Sequence, residues 1–114
     1  LEKPINVKSN TSSVIPTGLS VAFSESYEIQ IRPRSGLAMK NNITVLNTPG
    51  TIDSDYRGEI KVIIFNHGEV DFVINNGDRI AQMILSPTIK IDLEIVNDLP
   101  ETIRGEGGFG STGK

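Results

Sequence analysis

An all-β protein of many short strands, with at most one short helix, is the architecture to expect from these 114 residues. Three observations carry that expectation. Val and Ile together number 24, while Ala, Leu and Met together number 12; β-branched side chains are stiff at χ1 and suit strands better than helices. Gly and Pro number 17 and recur every few residues, which stops most helices before they can grow. Apolar and polar residues alternate over several short stretches, the period-2 mark of a half-buried strand.

Along the chain, Ile5 to Lys8 and Val14 to Phe23 are strand candidates, the second broken by Pro16-Thr17-Gly18. Tyr27, Ile29 and Ile31 fall on one face of Ser26 to Arg32, with polar residues on the other. A short helix is expected after Pro33, with Ser35 as its cap. Ile60 to Phe65 is a near-continuous apolar run, the pattern of a strand buried on both faces. Asn66-His67-Gly68-Glu69 reads as a turn; Val70, Phe72 and Ile74 alternate; Asn75-Asn76-Gly77-Asp78 is a second turn. Ile80 to Leu85 is a further strand, and Ile89 to Ile95 alternates cleanly enough to be another. Turn signals at roughly eight-to-twelve-residue spacing suggest a sandwich or jelly roll. From Arg104 to Lys114 the composition changes: five glycines and no strand pattern. The expected organisation is therefore a β domain over 1–103 and a glycine-rich tail over 104–114, mobile in isolation.

The length suits one domain, which at this size buries roughly two-thirds of its unfolded surface. That supports one core with little margin, so association between copies would help. The net charge is −3. No basic stripe suggests nucleic acid, and no amphipathic basic helix suggests a membrane. The lack of cysteine removes disulfides, thiolate nucleophiles and cysteine-ligated metals, and fits a reducing compartment. No signal peptide opens the sequence, so a cytoplasmic location is expected. His67 is the only histidine, which leaves no serine–histidine triad and no multi-histidine metal site.

Four segments carry chemistry. In Arg104-Gly105-Glu106-Gly107-Gly108-Phe109-Gly110-Ser111-Thr112-Gly113-Lys114, glycines let backbone N–H groups converge on an anion. Cations, hydroxyls and an aromatic ring accompany them, so phosphate plus a flat ring is the natural ligand, although most glycine-rich tails are plain termini. Gly108 to Lys114 also matches the start of a phosphate-binding P-loop, but that motif needs a Ser or Thr next and then a helix. Arg32-Pro33-Arg34-Ser35-Gly36-Leu37-Ala38 follows a strand; a helix starting at Ser35 would offer N–H groups to an anion and Arg34 would add charge, yet alone it is an ordinary cap. Gly50-Thr51-Ile52-Asp53-Ser54-Asp55-Tyr56-Arg57-Gly58-Glu59 crowds acids and an aromatic into one turn-rich stretch, where one carboxylate can act as a general base or simply face solvent. Gly77-Asp78-Arg79-Ile80-Ala81-Gln82 sets Arg79 and Gln82 at a strand start, which alone is a hairpin with polar edges.

Each segment is weak alone, but their order is specific. Pro-Arg-Ser-Gly-Leu-Ala, Gly-x-Ile-Asp-x-x-Tyr-x-Gly-Glu, Gly-Asp-Arg-Ile-Ala-Gln and Arg-Gly-x-Gly-Gly-Phe-Gly-Ser-Thr-Gly, spanning Arg32 to Gly113, closely resemble motifs two to five of the trimeric dUTPases. Ile15-Pro16-Thr17-Gly18-Leu19 looks similar too. The family's first motif, whose Asp helps hold the waters around Mg²⁺, would lie just upstream of Leu1 and is not among these residues. The resemblance implies a jelly roll and hydrolysis of dUTP to dUMP and pyrophosphate. It implies a homotrimer in which three subunits build each site, and Mg²⁺ held through substrate phosphates and water with no metal ligand in this chain. Position by position it implies that Asp53 activates the attacking water and that Tyr56 packs on deoxyribose, leaving no room for a 2′-OH. Asn47 helps recognise uracil beside hairpin backbone at Gly50 and Ile52. Arg34, Ser35, Gly36 and Gln82 contact phosphates. Arg104 binds the γ-phosphate, Phe109 stacks on uracil, and Gly110 and Ser111 complete the tail's contacts.

The chemistry agrees with that reading. A triphosphate meeting a net-negative protein needs local cations, which Mg²⁺, Arg34, Arg104 and Lys114 can supply. Aspartate is ionised at neutral pH and can take a proton from water in line with the α-phosphorus. Eleven extended tail residues reach roughly 35 Å, enough to cross to a neighbour. Two rivals remain: a dCTP deaminase-like enzyme of the same fold, whose chemistry uses a Glu in the third motif region, and a non-catalytic nucleotide-binding homologue.

Overall fold

A computed structural model describes residues 1–111 and 113 of the chain. The strands are β1 (Ile5–Val7), β2 (Ser12–Pro16), β3 (Tyr27–Arg32), β4 (Ile43–Val45), β5 (Gly50–Ile52), β6 (Lys61–Asn66), β7 (Phe72–Ile74) and β8 (Gln82–Pro87), with one helix, α1 (Ser35–Asn41), after β3. They form three antiparallel sheets: β1 with β7, β6 between β2 and β4, and β3 between β5 and β8.

The core consists of Val7, Ile15, Ile29, Ile31, Ile43, Val45, Ile60, Val62, Ile64 and Ile74, every one β-branched. Residues two apart on a strand point the same way, so Ile29 with Ile31, Ile43 with Val45, and Val62 with Ile64 enter the core as pairs. Asn66, at the end of β6, is fully buried. Its amide donates to the Val7 and Val70 carbonyls at 3.0 and 2.9 Å and its oxygen accepts from the Gly68 N–H at 2.8 Å, which ties the β6–β7 turn to β1. A buried amide is tolerated there because each of those groups finds its partner.

Several sequence expectations need correction. β6 is not fully buried on both faces: Val62 and Ile64 point into the core, while Ile63 and Phe65 on the other face keep part of their surface exposed. Ser35 is not the helix cap. Arg34 occupies that place in an extended conformation with no side-chain capping bond, and Ser35 is the first helical residue. The helix thus starts one position earlier than a Ser35 cap would set it. Asn42 ends the helix in the left-handed region, at φ 57. The short strands β4 and β5 lay hidden in turn-rich sequence and exist because β6 and β3 pair with them. The Val14–Phe23 candidate stops at Pro16, where Thr17 turns the chain by donating its hydroxyl to the Ile60 carbonyl at 2.6 Å.

The largest departure follows β8. Ile89 to Ile95 forms no strand, and Ile89, Ile91, Leu93 and Ile95 are 75–100% exposed. Thr88 still donates its N–H to the Ser26 carbonyl at 2.9 Å, and from Ile89 onward the chain is an arm outside the body. It raises the radius of gyration to 19.2 Å, against about 13 Å expected for a compact chain of this length. Among the described residues no helix is long and apolar enough to cross a membrane.

Candidate functional site

The residues singled out in the sequence fall into three places. The first is a cavity of about 500 Å³ at the end of β3, lined by Gln30, Arg32, Pro33, Arg34, Ser35, Ala38, Thr48, Pro49 and Gln82. The antiparallel ladder sets Gln82 opposite Arg32, and the Gln82 amide donates to the Pro33 carbonyl at 3.0 Å, bracing the turn into α1. Arg34 donates to the Arg79 carbonyl at 3.3 Å, so the Gly-Asp-Arg stretch serves here through its backbone. Arg32 donates to Gln30 Oε1 at 3.1 and 2.7 Å, and Gln30 in turn donates to Glu28. Two guanidinium groups and no carboxylate line this cavity, the composition an oxyanion needs. Gly36 lies one residue into α1 with open space where a Cβ would stand.

The second is a cavity of about 210 Å³ lined by Thr51, Ile52, Asp53, Tyr56, Glu59 and Lys61. Asp53 leaves the end of β5, and its carbonyl accepts the Tyr56 N–H at 3.1 Å, closing the turn. Tyr56 is 43% exposed, and its hydroxyl donates to the Glu59 carbonyl at 2.9 Å. Arg57 points away from this cavity and donates to the Ser54 carbonyl at 2.6 Å. Gly50 is buried because its neighbours are close: a Cβ there would stand 3.3 Å from both Asn47 Nδ2 and Ile31 Cβ. Asn47 thus lies against the β5 backbone on the turn that precedes it.

The third place is the tail, in contact with neither cavity. Arg104 donates to the Gly107 carbonyl at 2.6 Å and Ser111 N–H to the Gly108 carbonyl at 3.0 Å, so the segment holds local turns. Phe109 is fully exposed, with Gly110 beside it at φ 86. Thr112 and Lys114, the latter a candidate phosphate cation and the end of the rejected P-loop match, lie outside the described residues.

The two cavities share no residue but adjoin: Gln30 of the first pairs with Thr51 of the second, and the Thr51 hydroxyl donates to the Pro49 carbonyl at 3.5 Å. Ile52, next to Asp53, pairs with Ile29, whereas Gln82 pairs with Arg32 on the far side of β3. That separation is roughly 10 Å along the strand and about 10 Å across two strand spacings. Sequence reasoning missed Arg32 and Lys61 as lining residues. The alternation of β3 assigns Arg32 to the polar face beside the Pro-Arg-Ser segment, which is a usable signal. Nothing local marks Lys61, which reaches the cavity only because β6 runs beside that loop. Elsewhere, hydrogen bonds from Asn6 and the Ser9 N–H, with Lys8 nearby, hold the exposed Asp71 carboxyl below its ordinary range and tie the end of β1 to the β7 edge.

A family model described as dUTPase matches residues 1–113. The chain is 59% identical over 112 residues to the deoxyuridine 5'-triphosphate nucleotidohydrolase of Rickettsia felis, covering 98% of this chain and 76% of that protein. It is 58% identical over the same length, with the same coverage, to that of Rickettsia massiliae. Among solved structures it is similar to the dUTPase of Staphylococcus bacteriophage 80alpha with dUpNHpp, at TM-score 0.88 and 25% identity over 98% of this chain and 82% of that one. A mutant dUTPase of phage phi11 of S. aureus, described for its structural Mg(II) ion, superposes at TM-score 0.75 with 22% identity over 84% of this chain and 78% of that one. The jelly-roll β fold expected from the sequence is the fold of this chain. With a family match across residues 1–113 and more than half of its positions shared with Rickettsia relatives, the chain belongs to the dUTPase family of nucleotide hydrolases.

Proposed function

We propose that the chain hydrolyses dUTP to dUMP and pyrophosphate, with Asp53 activating the attacking water, in sites shared between three copies. The observation that carries this is a pair of neighbouring cavities of different chemistry. A cationic one, free of acids, suits a polyphosphate; the other joins the exposed Asp53 carboxylate to the Tyr56 ring, with Glu59 and Lys61 also on its rim. Following the family resemblance, the phosphate-binding group of one copy is proposed to face Asp53 and Tyr56 of a second. The arm of a third then brings Arg104, Phe109, Gly110 and Ser111. In that assembly the folded unit extends over 1–103 and the closing tail over 104–114.

In this reading Arg34, Ser35, Gly36 and Gln82 hold the phosphates. Asn47 and the backbone at Gly50 and Ile52 read the edge of uracil. A donor and an acceptor matched to uracil are both left unpaired by cytosine, which is how a polar site rejects a near-isostere strongly. Tyr56 packs on the sugar, Phe109 stacks on the base, and Arg104 neutralises the γ-phosphate. The Asp53 carboxylate takes a proton from water as the water's oxygen bonds to the α-phosphorus. The bond to the bridging oxygen breaks and pyrophosphate leaves. Among the described residues no three acids or histidines come together to hold a metal. The donors present fit only a Mg²⁺ that arrives on the substrate, coordinated by phosphates and water, where it would spread negative charge and ease departure of pyrophosphate.

The test is to incubate the protein with dUTP and with dCTP in Mg²⁺ and assay pyrophosphate and ammonia. Pyrophosphate from dUTP alone is expected. Ammonia from dCTP would identify a deaminase of the same fold, and neither product would leave a nucleotide-binding homologue.

A further inference from the structure

Five of the described glycines, Gly18, Gly77, Gly105, Gly110 and Gly113, sit at positive φ, where the backbone itself favours glycine. Gly58 is not among them. Its backbone suits any residue, so the reason for glycine there lies in the space above it. A Cβ built on Gly58 would fall 2.5 Å from the Tyr56 hydroxyl oxygen, 2.7 Å from Cζ and 3.0 Å from Cε1. No real Cβ tolerates such distances, and the atoms concerned all belong to one ring. The phenolic end of Tyr56 therefore rests directly on the Gly58 backbone. Two hydrogen bonds complete the seat: the hydroxyl donates to the Glu59 carbonyl at 2.9 Å, and the Tyr56 N–H donates to the Asp53 carbonyl at 3.1 Å.

We infer that Gly58 is a positioning residue for sugar discrimination: its missing side chain fixes how far the Tyr56 ring stands from the cavity that holds Asp53. The inference rests on the reading of that cavity as the deoxyribose end of the site. A side chain at 58 forces the ring to leave its seat and its bond to Glu59. Tyr56 is 43% exposed, so the ring has room to swing and the fold loses little. What changes is the width of the cavity, and with it the exclusion of a 2′-hydroxyl. A discrimination set by the fit of one small group is sensitive to displacements of this size.

The test compares kcat/KM for dUTP and UTP in four proteins: wild type, Gly58→Ala, Tyr56→Ala and the double variant. Gly58→Ala is expected to melt within a degree or two of wild type while its preference for dUTP over UTP falls about ten-fold or more. In the Tyr56→Ala background the second substitution is expected to do nothing, because two changes acting through one ring are not additive. A Gly58→Ala enzyme with wild-type preference overturns the inference. So does an equal loss from Gly58→Ala with and without Tyr56. If Tyr56→Ala itself keeps the preference while hydrolysing dUTP, the fault lies with the reading of this cavity as the sugar end. Should Gly58→Ala unfold the protein, the double variant must recover the wild-type melt, since the ring is the obstacle; an unfolded double variant overturns the inference as well.

Discussion

Asp53 stands exposed at the end of β5, with Thr51, Tyr56, Glu59 and Lys61 around it. A carboxylate held this way is free to accept a proton without rearranging a core, and its replacement leaves the packing untouched. Asp53→Asn keeps the shape and loses the base. Turnover is expected to fall by about 100-fold or more, within the span usual for a general base, while binding of a non-hydrolysable dUTP analogue stays near wild type by titration calorimetry. Near-normal turnover would mean that another group activates water, and a loss of binding alone would make Asp53 a structural residue. The surrounding positions differ in how visible they were. Asp53, Tyr56, Arg34, Ser35 and Gln82 were legible because their order along the chain matches a family pattern. Lys61 was not, since what brings it to the cavity is the neighbouring course of β6 rather than any local spacing.

Among the elements, the arm beyond Thr88 is the one whose local pattern and whose structure disagree. Ile89, Ile91, Leu93 and Ile95 carry the alternation of a half-buried strand, yet all four are exposed. A strand needs a partner edge, and within one chain none is in reach. Each such side chain would contribute roughly 1.5–3 kcal/mol on burial, so covering the arm is expected to stabilise the protein. The tail that follows is held lightly: Phe109 adopts φ 51, a region costly for a bulky residue, and the bonds of Arg104 are all local. Ordering it costs roughly 1–2 kcal/mol per residue, which charge-assisted bonds to a triphosphate and stacking by Phe109 would offset. Removing residues 104–114 is therefore expected to leave the thermal melt unchanged and to reduce turnover greatly. Limited proteolysis should cut the tail readily unless a dUTP analogue is bound. Equal protease resistance with and without the analogue would rule out a ligand-gated lid, and unimpaired turnover after truncation would remove the tail from the mechanism.

Seen whole, the molecule is a small β body with a core of Val and Ile, an exposed arm and, on the β3–β5 sheet, two neighbouring candidate-site cavities. Val14, Met83 and Leu85 on the sheets and Leu46 in the turn after β4 are about half exposed, so apolar surface remains on the body as well as on the arm. A monomer of this size has little stability to spare, and covering these faces between copies would add to it. A homotrimer is the expected state by analytical ultracentrifugation. Mixing inactive Asp53→Asn protein with inactive tail-truncated protein, under conditions that exchange subunits, should restore part of the activity, since some sites then draw an intact group from each. A stable, fully active monomer would end this reading, and so would mixtures that stay inactive despite verified exchange.

From the residues alone came the all-β class, the inward alternation of β3, the turns at Asn66–Glu69 and Asn75–Asp78, and the family motifs. These depend on local propensity and spacing, which a sequence carries in full. The tertiary structure decided the rest. It made strands of Ile43–Val45 and Gly50–Ile52, because three residues become a strand only when a neighbour pairs with them. It left Ile63 and Phe65 partly exposed, and it denied Ile89–Ile95 a partner. It set Arg32 beside Gln82 and seated the Tyr56 ring on Gly58. Burial and proximity are properties of which surfaces meet, and only the folded chain determines that.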